Sequence, residues 1–575
     1  MKLLPDKKHF STVIVYLLAI LTFLWPVFYL NKGIAVTDTA FVLSSYKYVF
    51  TDCGIRDAAT GLSDILGGAL YALMPGYQAL LFQVLGWLAY VAVCLMVYSW
   101  LKNDMPRPVL WVCLFIGTLY VRVFPTVLNY NSFSVLFFCI GITLLLKGLK
   151  QNKPAFFIAS GFTIGINVFF RLPNILQASL FIPIVWYYWF CKNDKKNAVR
   201  QTIFFGIGFL GGLFTGFAII GIVYGVSAIA DSFVATAALA TDAQDGHNIL
   251  SMVITLFGET WLGFKRLLLI AVVPALGYAL AWLLQRFSKR TVPVWMRVLI
   301  SAAFLWLYWR IGYRIHETWV YAAILCIVVA ALWAVGIALI FKYRKDQPLF
   351  STLILIACAV VCCIAIGSDN TVYQYVIFSH FILAMAVCVL MHGANWLCEK
   401  LNLKKNLPVG IKHGLLCILL FSCLQNSFYN TRYRLFNDVA VFDATATICA
   451  PDYEGMHTGP QRAKELDMLR SLLLPYEGNQ LLVWGNFSIG NLITDMKPYL
   501  TYPWVDLKSF SYAQFSAEFT AKRKAGILPV ILIREEFMDD FKVDKYNMIL
   551  DLIAEERYKV VYQDDLYTLY IPPNL

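Results

Sequence analysis

The sequence predicts a polytopic α-helical membrane protein that ends in a small α/β domain. Two observations predict the membrane part: the mean hydropathy is +0.65, and 59% of the residues are hydrophobic whereas only 14% are charged. A water-soluble fold cannot bury that much apolar side chain. A third observation, the change to ordinary soluble composition near residue 430, predicts the C-terminal domain.

Long apolar runs define the predicted spans. They match the ~20 residues that a helix needs to cross ~30 Å of hydrocarbon, and they lack the alternation typical of a transmembrane strand. The predicted spans, about thirteen in all, are 11–30, 77–100, 109–123, 131–146, 154–170, 175–190, 202–224, 267–284, 294–309, 319–341, 350–366, 376–392 and 413–428. No small-residue cleavage site follows the first run, so we expect a retained helix and not a removed signal peptide.

The distribution of basic residues predicts the topology. With the N-terminus in the cytoplasm, the predicted cytoplasmic segments hold 23 of the 47 Lys and Arg residues, and the outer loops before residue 430 hold nine. Positive charge is enriched on the cytoplasmic side of membrane proteins. The net charge of +12 is therefore a topology signal and does not predict nucleic-acid binding. An odd number of spans then places the C-terminus outside.

Strand and helix patterns alternate in the C-terminal part. The stretches "QLLVWG" and "LPVILIR" are typical of buried strands, "PQRAKELDMLRSLLLPY" and "DKYNMILDLIAEERY" of helices, and "YKVVYQ" and "LYTLYI" of closing strands. We therefore expect a transmembrane module over 1–429 and an extracytoplasmic α/β domain over 430–575. Two outer loops, 31–76 and 225–266, are long enough to hold structure of their own.

Cysteine usage and the common motifs say little about chemistry. Most of the 14 cysteines fall inside predicted spans, where they act as small apolar residues. Cys53 and Cys449 lie clearly on the outer side, and a disulfide between them stays open. No Cys/His cluster predicts zinc, and no P-loop, GxGxxG or Ser–His–Asp pattern stands out.

Five cations fall at the predicted outer ends of spans, the depth at which a lipid-linked phosphate lies. An Arg offers such a phosphate paired charge-assisted hydrogen bonds, and snorkelling to lipid headgroups is the alternative for each residue taken alone. The candidate phosphate-binding residues are Arg171, Lys265, Arg266, Arg310 and Arg314.

Asp38, in "VTDTAFVLSSYKYV", follows the first span by a few residues. A carboxylate close to the water interface can be ionised and can accept a proton in catalysis. The structural alternative is that Thr37 or Asp38 caps an amphipathic interfacial helix. The spacing alone leaves both interpretations open.

Other polar residues of the outer side are candidates for substrate contact. "TDAQDGH" is also compatible with a turn or a weak metal site, and "GSDNTVYQY", residues 367–375, with a tight turn. The candidate substrate-binding residues are Asn131, Asp242, Asp245, His316, Glu317, Asp369 and Asn370.

Several of these stretches together resemble a known group of enzymes. They are the first-loop acid, "LNYNSFSVLFFCIGITLLLKGLK", "SGFTIGINVFFRLPNIL" and "LLVWGNFSIGNLITDMKPYLTYPW". The chain resembles the protein O-mannosyltransferase and lipid A aminoarabinose transferase group of GT-C glycosyltransferases. By position, Asp38 matches the essential first-loop Asp, and Arg171 matches the Lys or Arg after the Gly-containing span. Thr39 stands where the family often has Glu, and Asn131 where relatives often have a second acid.

The resemblance implies a GT-C-like helical module, often with an outer C-terminal domain, and a sugar donor carried on polyprenyl phosphate. Asp38 would be the general base for a lipid, glycan or protein hydroxyl, and the cations would stabilise the departing phosphate. We expect inverting transfer in a bacterial inner membrane without a cofactor. A divalent metal held by Asp38 with Asp242 or Asp245 stays open.

Two other functions compete with the transferase. A transporter or flippase of lipid-linked sugars would carry acids or Pro/Gly-broken helices near mid-span, and few mid-span charges are found. A non-catalytic scaffold, whose outer domain binds a partner, would leave the loop charges unexplained.

Overall fold

The computed structural model describes most of the chain. The described residues are 7–51, 59–121, 127–230 except 228, 249–288, 320–366, 374–400, 438–535 and 539–575, with six further positions between 231 and 319.

The described part of the chain before residue 401 is mainly helical. Its α-helices are α1 Lys7–Leu24, α2 Asp38–Tyr48, α3 Gly61–Tyr71, α4 Gln78–Leu101, α5 Arg107–Val121, α6 Tyr130–Gln151, α7 Pro154–Asn167, α8 Phe181–Val185, α9 Lys195–Tyr224, α10 Ile249–Ser288, α11 Val320–Lys342, α12 Pro348–Ala365 and α13 Ser379–Lys400. Short 3₁₀ segments cover Trp25–Tyr29, Leu172–Leu180 and Tyr375–Phe378, and a π-helical segment covers Trp186–Cys191.

Seven helices of the described part are long and apolar enough to cross a membrane. They are Thr12–Tyr29, Gln78–Leu101, Tyr130–Gln151, Lys195–Tyr224, Leu325–Lys342, Pro348–Ala365 and Tyr375–Lys400. Two shorter apolar helices, Arg107–Tyr120 and Pro154–Asn167, coincide with two more predicted spans. The chain is a multi-pass membrane protein, and the total of thirteen spans stays a prediction.

The remaining predicted spans differ from simple helices or fall outside the described residues. Residues 175–190 change from a 3₁₀ segment to α8 and then to the π-helical segment, so this span is irregular. Pro173 and Pro183, which lack a backbone N–H, lie within this irregular path. The span predicted at 413–428, and most of that at 294–309, are not among the described residues.

The second outer loop is shorter than predicted. Residues 225–266 were expected to form a loop, but α10 already begins at Ile249 and continues to Ser288. Lys265 and Arg266 therefore lie inside a 40-residue helix and not at the start of one.

Helices α7 and α9 pack through glycines. A Cβ at Gly161 would lie 2.0 Å from the carbonyl oxygen of Phe205, and one at Gly212 would lie 2.2 Å from that of Phe162. Gly165 and Gly208 make equivalent approaches, so each helix presents a Gly-x-x-x-Gly pair to the other. Small residues at such spacing let two backbones come together inside a membrane.

The C-terminal part contains one five-stranded sheet. Its elements are α14 Pro460–Leu473, β1 Gln480–Trp484, α15 Gly490–Ile493, β2 Lys497–Pro498, α16 Tyr512–Lys524, β3 Val530–Arg534, α17 Asp540–Glu555, β4 Lys559–Gln563 and β5 Tyr567–Ile571. The strand order is β2-β1-β3-β5-β4; β1 runs parallel to β2 and β3, and β5 pairs antiparallel with β3 and β4. The small α/β domain predicted from the alternating patterns is confirmed.

The two faces of this sheet bury different partners. On one face Trp484, Ile533 and Leu482 pack with α16 and α17 through residues such as Phe515 and Ile549. On the other face the alternate strand residues join α14 and continue into the helices of the first loop, residues 31–76, as one buried cluster. The sheet and the first loop therefore share a hydrophobic core, which fixes the sheet against the membrane helices.

Backbone hydrogen bonds show which ends of the helices carry the C-terminal domain. The amide of His457 donates to the carbonyl of Asn31 over 2.8 Å, just after α1, and the amide of Glu454 donates to the carbonyl of Gly76 over 2.9 Å, just before α4. We call this side of the helices the domain face. Since α4 has 24 residues, a rise of 1.5 Å per residue puts the opposite face about 36 Å away.

Candidate active site

The candidate site is built around α2, the helix that begins at Asp38. Eight of its 11 residues are buried, including Ala40, Leu43 and Tyr46. The ring of Phe41 stacks on Tyr502 of the C-terminal domain, with 6.2 Å between ring centroids. The alternative of an amphipathic interfacial helix is not supported, because α2 is buried between the C-terminal domain and the membrane helices.

The N-terminal end of α2 is held from outside the helix. The hydroxyl of Ser488 donates to the carbonyl oxygen of Thr37 over 2.6 Å and contacts that of Val36 at 3.2 Å. Thr37 occupies the position before the first helical residue, yet no side chain there caps the helix. Asp38 is itself the first helical residue, where a negative charge interacts favourably with the helix dipole. The interpretation of Thr37 as the cap is therefore not supported.

The Asp38 carboxyl is accessible and carries no salt bridge. Its side chain is exposed, and it pairs with no cation among the described residues. Surrounding protein still removes part of its hydration, which raises the pKa of Asp38, and a hydrogen bond from its own backbone N–H opposes that rise. A carboxylate with a raised pKa is a stronger base than a fully hydrated one.

The C-terminal end of α2 is held by ion pairs. Lys47 Nζ lies 2.8 Å from Asp452 and 3.0 Å from Asp495. Burial alone lowers the pKa of Lys47, but the interactions with Tyr48 and the two carboxylates outweigh it and raise the pKa. The Tyr48 hydroxyl adds a hydrogen bond to the carbonyl of Asn491 over 3.0 Å. This end of α2 is therefore fixed to the C-terminal domain.

A polar cavity opens beside the N-terminal end of α2. It has a volume of about 370 Å³ and lies at the carboxyl ends of the parallel strands β1 and β3, the edge at which α/β sheets commonly bind ligands. We call it the junction cavity. It is lined by Val36, Thr37, Asp438, Val439, Gln461, Arg462, Glu465, Asn486 and Arg534. Asp38 follows the lining residue Thr37 directly but is not part of the wall.

The charged groups of the junction cavity are only partly satisfied. Arg462 pairs with Glu465 at 2.9 Å, and Glu465 also accepts a hydrogen bond of 2.6 Å from the Tyr567 hydroxyl. Arg534 donates through Nη1 to the carbonyl of Asn486 over 3.3 Å, and its Nε is buried with no hydrogen-bond partner among the described residues. The cavity is therefore lined by a guanidinium, a group that donates hydrogen bonds and accepts none.

Arg171 lies on the domain face. It precedes the 3₁₀ segment Leu172–Leu180, and its Nη1 donates to Gln374 Oε1 over 3.2 Å. The amide of Leu172 donates to the carbonyl of Ala59, which ties this corner to the first loop. Gln374 belongs to the stretch 367–375, which also contains the candidate residues Asp369 and Asn370. The contact therefore joins Arg171 to the C-terminal part of that stretch.

A buried amide network supports the turn that carries Arg171. Asn167 Nδ2 donates to Gln177 Oε1 over 2.8 Å, Gln177 Nε2 donates to Asn174 Oδ1 over 2.9 Å, and Asn174 Nδ2 donates to Ser134 Oγ over 2.8 Å. All four side chains are buried. Hydrogen bonds that join buried side chains in a low-dielectric interior rigidify their surroundings, although Asn167 Oδ1 has no hydrogen-bond partner among the described residues. The sequence analysis missed this network, although "GINVFFRLPNILQ" places three amides within eleven residues.

Asn131 lies in the first turn of α6, on the same face. The side chain of Asn129 caps this helix by accepting hydrogen bonds from the amides of Asn131 and Ser132, both at 3.0 Å. The Oδ1 atom of Asn131 is buried and has no hydrogen-bond partner in the part of the chain that the structure describes. A buried acceptor without a hydrogen bond costs free energy of folding. This atom is therefore a good candidate to accept a hydrogen bond from a hydroxyl of a bound substrate.

A second acid of the first loop is buried. Asp64, in the first turn of α3, accepts a hydrogen bond of 3.3 Å from the Thr60 hydroxyl and acts electrostatically on Tyr46. The Tyr46 hydroxyl contacts Ser63 Oγ at 3.0 Å and the carbonyl of Leu128 at 3.1 Å. The sequence analysis gave this cluster no role.

Lys265 and Arg266 are not brought to α2 by any described contact. Lys265 is exposed and lies over the ring of Trp261 on its own helix, with Nζ 5.6 Å from the ring centroid. Arg266 acts electrostatically on Cys326 of α11. Binding of the donor phosphate by Lys265 and Arg266 stays a hypothesis.

The other predicted site residues lie outside the described residues. They are Asp242, Asp245, Arg310, Arg314, His316, Glu317, Asp369 and Asn370. Among the residues that the structure describes, no three His, Cys, Asp or Glu side chains form a possible metal site. Cys449 is exposed, whereas Cys53 lies outside the described ranges, so their pairing stays open.

Comparison with known proteins gives distant structural neighbours only. No family model and no curated protein matches the chain. Structures of the Archaeoglobus fulgidus oligosaccharyltransferase are similar at 12% identity. The form tethered to an acceptor peptide with an NVT sequon has a TM-score of 0.43 over 92% of this chain and 69% of that one. The complex with Zn and sulfate has a TM-score of 0.44 over 97% and 73%.

The apo form of the same enzyme has a TM-score of 0.46 at 12% identity, over 92% of this chain and 70% of that one. Similarity at this level does not establish a common activity.

Proposed function

We propose that the chain is a membrane glycosyltransferase of the GT-C type. It transfers a sugar from a polyprenyl-phosphate donor to the hydroxyl of a lipid, glycan or protein on the domain face. The observation that supports this best is the position of Asp38. Its carboxyl is exposed, forms no salt bridge with a described residue, and belongs to the first residue of a helix that is mostly buried at the junction.

Asp38 acts as the general base. The acceptor oxygen attacks the anomeric carbon and forms the new C–O bond while Asp38 takes the hydroxyl proton. The bond from the anomeric carbon to the phosphate oxygen breaks, and polyprenyl phosphate leaves with the electron pair. Attack from the side opposite the phosphate inverts the anomeric configuration. A base at this step contributes typically about 10² to 10⁴-fold.

Cations stabilise the phosphate as its charge grows. Arg171 is the best placed of the described candidates, because the amide network holds its turn and its guanidinium can form two charge-assisted bonds. Lys265, Arg266, Arg310 and Arg314 are proposed for the same role. The sugar is proposed to contact Asn131 together with Asp242, Asp245, His316, Glu317, Asp369 and Asn370.

The junction cavity is the proposed entrance for the acceptor. It borders Thr37, the residue before the base, and the guanidinium of Arg534 lines it. A polar acceptor that enters between the C-terminal domain and α2 would reach Asp38 from the water side. The domain face would then be the extracytoplasmic side of a bacterial inner membrane.

The test is a transfer assay on the purified full chain in proteoliposomes. A panel of sugars linked to polyprenyl phosphate is offered with hydroxyl acceptors, and the release of polyprenyl phosphate and the anomeric configuration of the product are measured. We expect acceptor-dependent release with inversion. If labelled donors crossed the bilayer while none was cleaved, the chain would be a flippase and the proposal would be wrong.

A further inference from the structure

A second large cavity lies at the opposite face of the helices, far from Asp38. It has a volume of about 730 Å³ and is formed where α4 and α6 end and α12 begins. We call it the basal cavity. It is lined by Ser99, Trp100, Lys102, Asn103, Asp104, Thr143, Leu146, Lys147, Lys150, Gln347, Pro348, Leu349, Phe350, Leu353 and His392.

The charge of the basal cavity is positive. Lys102, Lys147 and Lys150 contribute three positive charges, and Asp104 is the one acid among the lining residues. None of the three lysines forms an ion pair or hydrogen bond with another residue that the structure describes. Burial raises the pKa of the Asp104 carboxyl, and the charges of His392 and Lys150 lower it only in part. The lysines thus have capacity for an anion.

The first turn of α12 adds donors at the same place. Gln347, the residue before this helix, makes no side-chain cap, and Pro348 is its first residue. The amides at a helix start point outward and carry a partial positive charge, which favours an anion. The start of α12 and the three lysines belong to different parts of the fold, and both line this cavity.

The loop that carries Lys102 and Asp104 is held in place. One nitrogen of the His392 ring, Nε2, lies 2.9 Å from the carbonyl oxygen of Asp104, and the other, Nδ1, lies 3.2 Å from the Tyr343 hydroxyl. Trp100 Nε1 donates to Thr143 Oγ1 over 3.1 Å across the wall. The cavity is therefore a defined recess with fixed walls.

The inner wall is apolar. Leu146, Phe350 and Leu353 line it below the lysines, and Phe350 and Leu353 belong to the buried core of the helices. A ligand that fits both parts carries a phosphate for the lysines and a hydrocarbon chain for the wall. Basic recesses between transmembrane helices bind the headgroups of anionic lipids in this way.

We propose that the basal cavity binds a phosphate-bearing anion through Lys102, Lys147 and Lys150. An anionic phospholipid is favoured over a free phosphate, because its hydrocarbon chain can contact the apolar wall while the lysines hold its headgroup. The proposal does not depend on the transferase activity, because the cavity lies at the other end of α4, about 36 Å from the domain face.

The test compares the full chain with two charge-matched double variants in phosphatidylcholine nanodiscs. Lys147→Gln with Lys150→Gln removes two cavity lysines. Lys153→Gln with Lys345→Gln removes two exposed lysines that do not line the cavity. Binding of phosphatidylglycerol is measured by native mass spectrometry, and inorganic pyrophosphate is titrated in a parallel series. Melting temperatures are recorded for all three proteins.

The cavity variant should bind phosphatidylglycerol at least about tenfold more weakly than the other two proteins, at an unchanged melting temperature. Pyrophosphate binding with the same lysine dependence would identify a free phosphate as a second source of the ligand. Equal binding of both probes by all three proteins would overturn the proposal.

Discussion

The two ends of α2 carry opposite charges and differ in how those charges are used. At the C-terminal end, Lys47 is nearly enclosed, with 14% of its side chain exposed, and it pairs with two carboxylates. At the N-terminal end, Asp38 is exposed and pairs with no described cation. The backbone carbonyl of Thr37 beside it accepts a hydrogen bond from the Ser488 hydroxyl, and the Thr37 side chain does not cap the helix.

The difference separates a structural charge from a functional one. Lys47 is expected to hold the C-terminal domain in place, since removing it would leave the buried carboxylate of Asp452 without a counter-charge. An accessible carboxyl that pairs with no cation among the described residues contributes little to docking. It stays available for a proton, which is what a general base requires.

The largest effect on stability is expected for Lys47→Met. Asp452, with 7% of its side chain exposed, would lose its cation inside the junction. Breaking a buried pair from one side costs about 3–5 kcal/mol, so the C-terminal domain should detach from the first loop well before the membrane helices melt. Limited proteolysis of the full chain in detergent measures this. Wild-type resistance of the variant would mean that the apolar core alone docks the domain.

Arg171→Ala tests the domain face beyond α2. Losing one charge-assisted contact costs roughly 1.5–3 kcal/mol, so the dissociation constant for polyprenyl phosphate should rise about tenfold or more. Arg200→Ala, at an exposed position at the start of α9 on the opposite face, is the control. Equal affinities of the two variants would return Arg171 to a role in binding lipid headgroups or Gln374.

A smaller effect is expected for Asp495→Asn, the second partner of Lys47. This side chain is 67% exposed, so solvent already screens the pair. Exposed ion pairs contribute about 0–1 kcal/mol, and the protease resistance of the variant should stay close to that of the wild type. If protease resistance fell as much in Asp495→Asn as in Lys47→Met, both carboxylates would be needed to hold α2.

The pH dependence gives the finest test of the N-terminal end. The surrounding protein removes part of the hydration of the Asp38 carboxyl and raises its pKa above the ordinary value of 3.8, so the ionised base is lost at a higher pH than for a fully hydrated aspartate. Transfer should fall as the pH drops through that raised pKa. An acid limb of the pH–rate profile that persists in the residual activity of Asp38→Asn would belong to another group.

The contribution of Asp38 to the stability of the fold should change with pH in the direction opposite to its effect on the transfer rate. A raised pKa in the folded state favours the protonated carboxyl, so its stabilising contribution is present below the unfolded pKa and is lost as the pH rises through the folded one. The melting temperature of the wild type relative to Asp38→Asn should therefore be highest in acid. A relative melting temperature that rises with pH would indicate that the charged form stabilises the fold.

The apolar runs in the sequence predicted those helices and strands whose formation depends mainly on local hydrophobicity. The bounds of α4 and α12 agree with the predicted spans within a few residues, because a transmembrane helix needs only a long apolar run. The strands β1 and β3 were likewise visible as short apolar runs. The prediction failed at α10, where Glu259, Lys265 and Arg266 within a helix were interpreted as a loop.

The candidate site was predictable only in part. Asp38 and Arg171 stand out by type and position, and both lie on the domain face. The bond from Ser488 to Thr37 spans 451 residues, and that from Lys47 to Asp452 spans 405. Neither leaves a local pattern, because the apolar packing of the sheet against the first loop decides which residues meet. The burial of α2 follows from the same packing.

The most direct measurement of the central claim is the single-turnover rate of transfer at saturating donor, with donor affinity and melting temperature recorded on the same samples. Asp38→Asn should be at least about 100-fold slower than the wild type at unchanged donor affinity. Asp443→Asn, which removes another exposed acid of the domain face, should react at the wild-type rate. Near-normal turnover of Asp38→Asn would contradict the account of Asp38 as the base.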